Sequence, residues 1–354
     1  MPTKRSYPGL SGRILIATIL MFLGLVVGIA LLEVLLTVVG RSPRRYSRID
    51  INEPIMYEPD RELGWRSKRG SYIVPRYAPS GQDIKMTFVE NGRRLTGENP
   101  APHSNGQLVL VGDSLTQGWA ISDDETFAWK LQKMYPFLEV LNYGTAGYST
   151  YQSLLVLERE LPHLAQPKLV LYGFVEFHEF RNVAAGEWLA QLSSLSRRGD
   201  VDVPYVTVDA EKRLVGHPPE RYLRVPFREW SALAFEIGKA YMKFKTRDRI
   251  SQRTLATEQT LLRMKEVSAE RSTPFAVVLL MMDRKTNQKE HYLRFLKENK
   301  IPAIDCDLEF TNEMKVPGEG HPNGKMNTLW AECISNKVKD QLTDEKFLRT
   351  STPD

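Results

Sequence analysis

From Ile14 to Val39 the chain reads ILIATILMFLGLVVGIALLEVLLTVV, 26 residues with one charge, Glu33. As a helix this run would rise ~39 Å at ~1.5 Å per residue, enough to cross a hydrocarbon layer of ~30 Å with some tilt. A cleaved signal peptide would carry an apolar region of only about 7–15 residues and then a small-residue cleavage site. This run is longer, and it ends in Gly40-Arg41-Ser42-Pro43-Arg44-Arg45. A buried helix of a soluble domain is the least favoured reading, because so continuous an apolar run lacks a polar face. Residues 1–40 are therefore expected to form an uncleaved membrane anchor. Glu33, six residues from the apolar end, is expected to snorkel to the interface and is given no function. Lys4, Arg5 and Arg13 precede the span, while Arg41, Arg44, Arg45 and Arg48 follow it. That margin of one charge leaves the orientation open.

The rest of the chain is globular in character. Among 354 residues, 26% are charged and 10% aromatic, which excludes collagen-like, low-complexity and disulfide-scaffold chains. A formal charge of +5, with no basic patch interleaved with aromatics, gives no reason to expect a nucleic-acid partner. Two cysteines, Cys306 and Cys333, cannot hold zinc alone; one disulfide or two free thiols are both open. No phosphate loop, Gly-x-Gly-x-x-Gly or metal-ligand spacing occurs, so neither a cofactor nor a metal is expected.

Residues 41–106 are rich in Pro, Gly and Arg and read as a juxtamembrane linker and an irregular or β-rich lead-in. Beyond them, apolar runs alternate with helical spacing. Strands are expected at Leu108–Val111, Val140–Asn142, Lys168–Phe174, Phe275–Met282 and Pro302–Asp305. Helices are expected at Asp124–Tyr135, Tyr151–Leu164, Phe180–Leu195, Gln288–Asn299 and Asn327–Leu342, with one or two more in 231–271. Residues 196–230 hold four prolines and a weak hairpin signal at Tyr205–Leu214, and read as an insertion or lid. Such alternation implies a parallel sheet covered on both faces. Ligands bind such sheets at the carboxyl ends of the strands.

Two segments at that edge carry chemistry. Gly112-Asp113-Ser114-Leu115 follows the first strand, and a serine on a strand-to-helix turn presents its hydroxyl beside free backbone N–H groups. Ser114 as a simple helix cap is the alternative. His321, in Gly318-Glu319-Gly320-His321-Pro322-Asn323, lies between the last strand and the last helix and suits a general base. Glu319, two residues earlier, suits the group that orients it.

These blocks, with Asn142-Tyr143-Gly144-Thr145-Ala146-Gly147 and a strand ending at Gly173, resemble the SGNH (GDSL-type) serine hydrolase superfamily over residues 107–342. The resemblance implies a flavodoxin-like three-layer sandwich with a central parallel sheet, here residues 107–345 with an insertion near 196–230. It also implies an acyl-enzyme on Ser114, with Ser114 and Gly147 N–H groups in the oxyanion hole. Two blocks depart from the family pattern. The usual Gly-x-Asn-Asp is Gly173-Phe174-Val175-Glu176, so the amide of the hole is missing at Val175. His178-Glu179-Phe180-Arg181-Asn182 resembles a variant of membrane-anchored members and offers Asn182 as the amide; a helix-surface asparagine is the alternative. His178 is a second candidate for the lining. The family acid would fall at Gly318, so Glu319 is favoured, with Asp305 and Asp307 as fallbacks. Tyr57-Glu58-Pro59-Asp60-Arg61-Glu62-Leu63-Gly64-Trp65 resembles the segment after the anchor in bacterial anchored members. That places the catalytic domain outside the cytoplasm, on the periplasmic or extracellular side, where a Cys306–Cys333 disulfide is permitted.

The expected function is a serine ester hydrolase of esterase, lipase or carbohydrate deacetylase type, acting on an ester or an acylated glycan. An O-acyltransferase acting on a glycan, and a non-catalytic anchored binding protein that kept the fold, are the alternatives. If the 14–39 run spans a membrane, the full chain should stay with membranes through high-salt and carbonate washing. Its release by carbonate would show that no segment crosses the bilayer.

Overall fold

The computed structural model describes residues 10–41, 54–98, 105–195, 201–221, 225–228 and 230–343. Lys4, Arg5, Arg44, Arg45 and Arg48 of the basic flanks, and residues 196–200 at the start of the expected insertion, lie outside the described residues. By contact the chain forms two units, Met1–Tyr46 with Leu223–Lys245, and Ser47–Tyr222 with Thr246–Asp354.

In the first unit, α1 (Leu10–Val38) has a mean hydropathy of 2.9 over a window within Gly12–Val38 and is long and apolar enough to cross a membrane. Its apolar side chains are exposed all round.

The second unit begins with two antiparallel pairs, β1 (Tyr57–Asp60) with β2 (Gly64–Ser67), and β3 (Gly70–Val74) with β4 (Ile84–Phe88). Met56, Val74, Ile84, Met86 and Phe88 bury themselves against Ala120, Ile121 and Val316. The segment read as a lead-in is thus packed into the same unit as the sheet. Arg94 fastens it: the fully buried guanidinium donates to Asp123 Oδ1 at 2.8 Å, to Ile121 O at 2.8 Å and to Gly118 O at 3.1 Å.

Then follow β5 (Gln107–Val111), α2 (Ser114–Gln117), α3 (Phe127–Met134), β6 (Glu139–Asn142), α4 (Thr150–Glu160) and β7 (Pro167–Val175). After β7 come α5 (His178–Asn182), α6 (Gly186–Leu195), the hairpin β8 (Asp202–Val208) with β9 (Leu214–Arg221), α7 (Ala232–Ser251) and α8 (Arg253–Glu270). The chain closes with β10 (Phe275–Met281), α9 (Gln288–Glu298), β11 (Ala303–Asp305) and α10 (Gly324–Thr343). The one helix expected at Phe180–Leu195 is two, because Ala184 takes a left-handed φ of 43° between α5 and α6.

Five parallel strands lie in the order β6-β5-β7-β10-β11. Counted along the chain this is 2-1-3-4-5, the flavodoxin-like order. The strands are apolar on both faces, so both faces must be covered. Leu108, Leu110, Leu169 and Leu171 pack under Phe127 and Leu131 of α3 and Trp330 and Ile334 of α10. Against the other face lie α4 and α8, packed on each other, and Tyr292 of α9, its ring 4.6 Å from that of Phe174.

Cys306, fully buried after β11, is bonded to Cys333 on α10, and its carbonyl accepts from Trp330 Nε1 at 3.2 Å. The bond closes a loop of 27 residues in sequence separation. In the chain-entropy picture a loop of that size contributes roughly 3–4 kcal/mol. Cys306→Ser with Cys333→Ser should therefore lower the denaturant midpoint of the detergent-solubilised chain, measured by tryptophan fluorescence. An unchanged midpoint would mean that the cross-link adds nothing to stability.

Candidate active site

Ser114 is the first residue of α2, directly after the carboxyl end of β5. Helix α2 drops close onto the neighbouring strand ends. A Cβ at Gly112 or Gly173 would lie 2.2 Å from Thr116 Oγ1, and one at Gly144 would lie 2.4 Å from Gln117 N. Side chains at those positions would push the serine turn off the sheet.

The structure brings Ser114, His321 and Glu319 together. His321 Nε2 is 3.0 Å from Ser114 Oγ. On the other side of the ring, Nδ1 lies 2.8 and 2.9 Å from the two Glu319 oxygens. Glu319 also accepts from the His321 backbone N–H at 2.7 Å and from Trp119 Nε1 at 3.2 Å. Burial alone would raise its carboxyl, but these contacts outweigh it and hold the group below the ordinary value. A charged carboxylate facing Nδ1 fixes the tautomer whose Nε2 lone pair points at the serine. Such an arrangement can take a proton from Ser114 and return it to a leaving group.

The departure at Gly318 has a steric cause. Its φ is +81°, and a Cβ there would lie 2.5 Å from Tyr77 O. A side chain at this position would be strained, and the carboxylate beside His321 is that of Glu319, one residue on. Asp305 and Asp307 are placed elsewhere: both bind Lys289 Nζ, at 3.0 and 3.1 Å.

The Asn182 expectation is corrected. Its Nδ2 donates to Thr150 Oγ1 at 3.1 Å and Thr257 Oγ1 at 2.7 Å, and its Oδ1 accepts from Tyr151 N at 2.8 Å. Fully buried and with its amide committed, it locks α5 to α4 and α8 rather than facing the serine. His178 does not line the cleft either. It is fully buried, with Nδ1 2.7 Å from the Tyr172 hydroxyl and Nε2 3.2 Å from Asp113 Oδ2.

The neighbouring residue, Arg181, reaches the cleft instead. Its Nη1 donates to Asp113 Oδ2 at 3.1 Å and Tyr148 O at 2.9 Å. The guanidinium lies 4.4 Å from the Phe177 ring centre and 4.3 Å from that of Trp188. Arg181 lines a cleft of about 480 Å³ together with Ser114, His321, Phe177, Trp188 and Phe310. In the sequence Arg181 is the fourth residue of His178-Glu179-Phe180-Arg181-Asn182, next to the asparagine.

Gly147 sits in the turn after β6 at φ +84°, where Trp65 and Tyr148 hold it. Trp65 Nε1 donates to Ala146 O at 3.0 Å, the Tyr148 hydroxyl donates to Trp65 O at 2.5 Å, and a Cβ on Gly147 would meet Trp65 Cζ2 at 3.1 Å. The Trp65 motif of the lead-in is therefore part of the support of the site.

No family model matches the chain, and no curated protein sequence matches it. Solved structures similar to it include a lipolytic G-D-S-L family member from Veillonella parvula, at 14% identity, covering 66% of this chain and 97% of that one, with a TM-score of 0.37. A psychrotrophic esterase from a Pseudoalteromonas species is similar at 12% identity, over 68% of this chain and 100% of that one, with a TM-score of 0.39. An acetylxylan esterase from Geobacillus stearothermophilus is similar at 12% identity, over 67% of this chain and 96% of that one, with a TM-score of 0.37.

Asp113 joins these parts. Burial alone would raise its carboxyl, but His178, Arg181 and the Leu115 N–H outweigh it and hold it at about 2. The ordinary aspartate value is about 3.9. Because the folded value is depressed, the stabilisation is complete above the ordinary value and is lost as pH falls through the folded one. The difference corresponds to roughly 2–3 kcal/mol. Asp113→Asn should flatten the acid limb of the stability curve between about pH 4 and pH 2. A limb as steep as that of the wild type would place the titrating group elsewhere.

Proposed function

We propose that this protein is a membrane-anchored serine ester hydrolase of the SGNH (GDSL) type. The observation that carries this reading is the Glu319–His321–Ser114 relay at the carboxyl end of β5, with His321 Nε2 3.0 Å from Ser114 Oγ. Ser114 Oγ attacks the ester carbonyl carbon while Nε2 takes its proton. The negative oxygen is held by the N–H groups of Ser114 and Gly147 and by the part of the Arg181 guanidinium not engaged with Asp113 and Tyr148. His321 then passes the proton to the departing alkoxide, leaving an acyl-enzyme. Water, deprotonated by the same Nε2, attacks the acyl carbon and restores Ser114. Phe177, Trp188 and Phe310 suit the apolar or ring-bearing part of an ester or an acylated glycan. Transfer to a glycan hydroxyl would use the same acyl-enzyme and differ only in the acceptor.

The anchor is α1, and the catalytic domain is residues 107–345 with the lead-in packed on it. The Cys306–Cys333 disulfide supports a location outside the cytoplasm, where such bonds persist.

An active-site phosphonate should label the wild type and not Ser114→Ala; equal labelling of both would remove Ser114 as the nucleophile. Ser114→Ala and His321→Ala should each lower turnover of an activated short-chain ester by roughly 10³-fold or more, and the double variant should lose little beyond either one. Losses that multiply would show that the two residues do not act as a unit. Arg181→Ala should lower kcat by about 10²–10³ with a much smaller change in KM, as expected of a donor that engages only as charge develops. An effect confined to KM would make Arg181 a ground-state binding residue.

A further inference from the structure

Glu33 has more to do than the sequence suggested. Its carboxylate accepts from Ala232 N at 2.6 Å, Leu233 N at 3.0 Å and Ser231 Oγ at 2.8 Å. It thereby caps the amino end of α7, where unpaired N–H groups and the helix dipole favour an anion. The next two N–H groups are also satisfied, Ala234 N by Ser231 Oγ at 3.0 Å and Phe235 N by Ser231 O at 3.1 Å. In the turn before them, Arg228 N donates to Val225 O, and Trp230 N and Ser231 N donate to Phe227 O.

Depth follows from α1. Glu33 lies five residues before Val38, the end of the helix, or ~7–8 Å along its axis at ~1.5 Å per residue. If α1 spans a bilayer, the backbone at Ser231–Leu233 is held at the same depth, below the end of the apolar run. Backbone at that depth is tolerated only where its polar groups are paired, as these donors are. The side chains offered outward there are apolar: Phe227 is 76% and Trp230 75% exposed. Along α7 the exposed Ile237, Tyr241 and Phe244 continue one stripe at helical spacing, and the exposed Lys239 and Lys243 fall on the opposite side of the helix. An apolar stripe with aromatics on one side and lysines on the other is the composition of an interfacial helix. Arg228 is buried in the protein rather than offered to lipid. A second tie, Arg41 Nη1 to Glu236 Oε2 at 3.8 Å, joins the first turns of α7 to the residues just past the end of α1.

We propose that the Val225–Phe244 segment is a second membrane element: a turn that dips into one leaflet at Phe227 and Trp230, followed by an interfacial helix capped by Glu33. It rests on α1 being the anchor. Its occupant is the lipid bilayer itself, not a second protein.

The test uses the full chain reconstituted in phosphatidylcholine vesicles. The Trp230 emission is taken as the wild type minus Trp230→Phe. That component should be lost in vesicles with brominated acyl chains and should resist aqueous iodide. Glu33→Leu should transfer it from lipid quenching to iodide quenching, because the capped turn is released. A Trp230 component quenched by iodide and untouched by brominated lipid in carbonate-resistant vesicles would overturn the second element and leave the anchor standing. Release of the wild-type chain by carbonate would overturn both.

Discussion

The arrangement of the site depends on one buried carboxylate. Asp113 caps α2 through the Leu115 N–H and holds Arg181 and His178 from α5. Its neighbours on either side are Gly112, which lets the chain turn, and Ser114, whose hydroxyl faces His321. A full charge with no exposure is costly unless it is paired and hydrogen-bonded. Asp113 is stable here because a guanidinium, an imidazole and a backbone N–H converge on it. Removing it would leave the Arg181 guanidinium without its buried counter-charge, and breaking a buried pair in that way costs about 3–5 kcal/mol.

Around that centre, the segments that sequence pattern described least well turn out to brace the turns that matter most. The Tyr57–Trp65 segment supplies Tyr57, whose hydroxyl donates to Gln117 Oε1 on α2 at 3.0 Å, and Trp65, which packs on Gly147. Tyr77 O occupies the space that a side chain at 318 would need. The lead-in therefore braces α2, the Gly147 turn and the loop at Gly318 at once.

In the unit that contains α1, the same electrostatic rule operates in a different setting. Glu33, like Asp113, is an anion at the amino end of a helix, satisfied by backbone N–H groups. In an apolar segment such a charge is tolerable only with fixed donors, which α7 brings from two hundred residues along the chain.

How much of this was legible in the chain itself follows from the range of each interaction. The apolar run of α1, the two-faced strands and the Gly-Asp-Ser turn are local patterns, and each determined its element without help from the fold. Ser114 directly follows β5, and Glu319 and His321 lie in the connection from β11 to α10, so their meeting could be anticipated from the edge that the strand ends of a parallel sheet share. The roles of Asn182 and Arg181 could not, because adjacent residues on a short helix point in different directions, and only the packing of α5 on α4 and α8 decides which one meets the cleft. The same holds for the partner of Glu33: a carboxylate in an apolar run announces a need for donors, but which donors answer it is settled only when α7 is folded against α1.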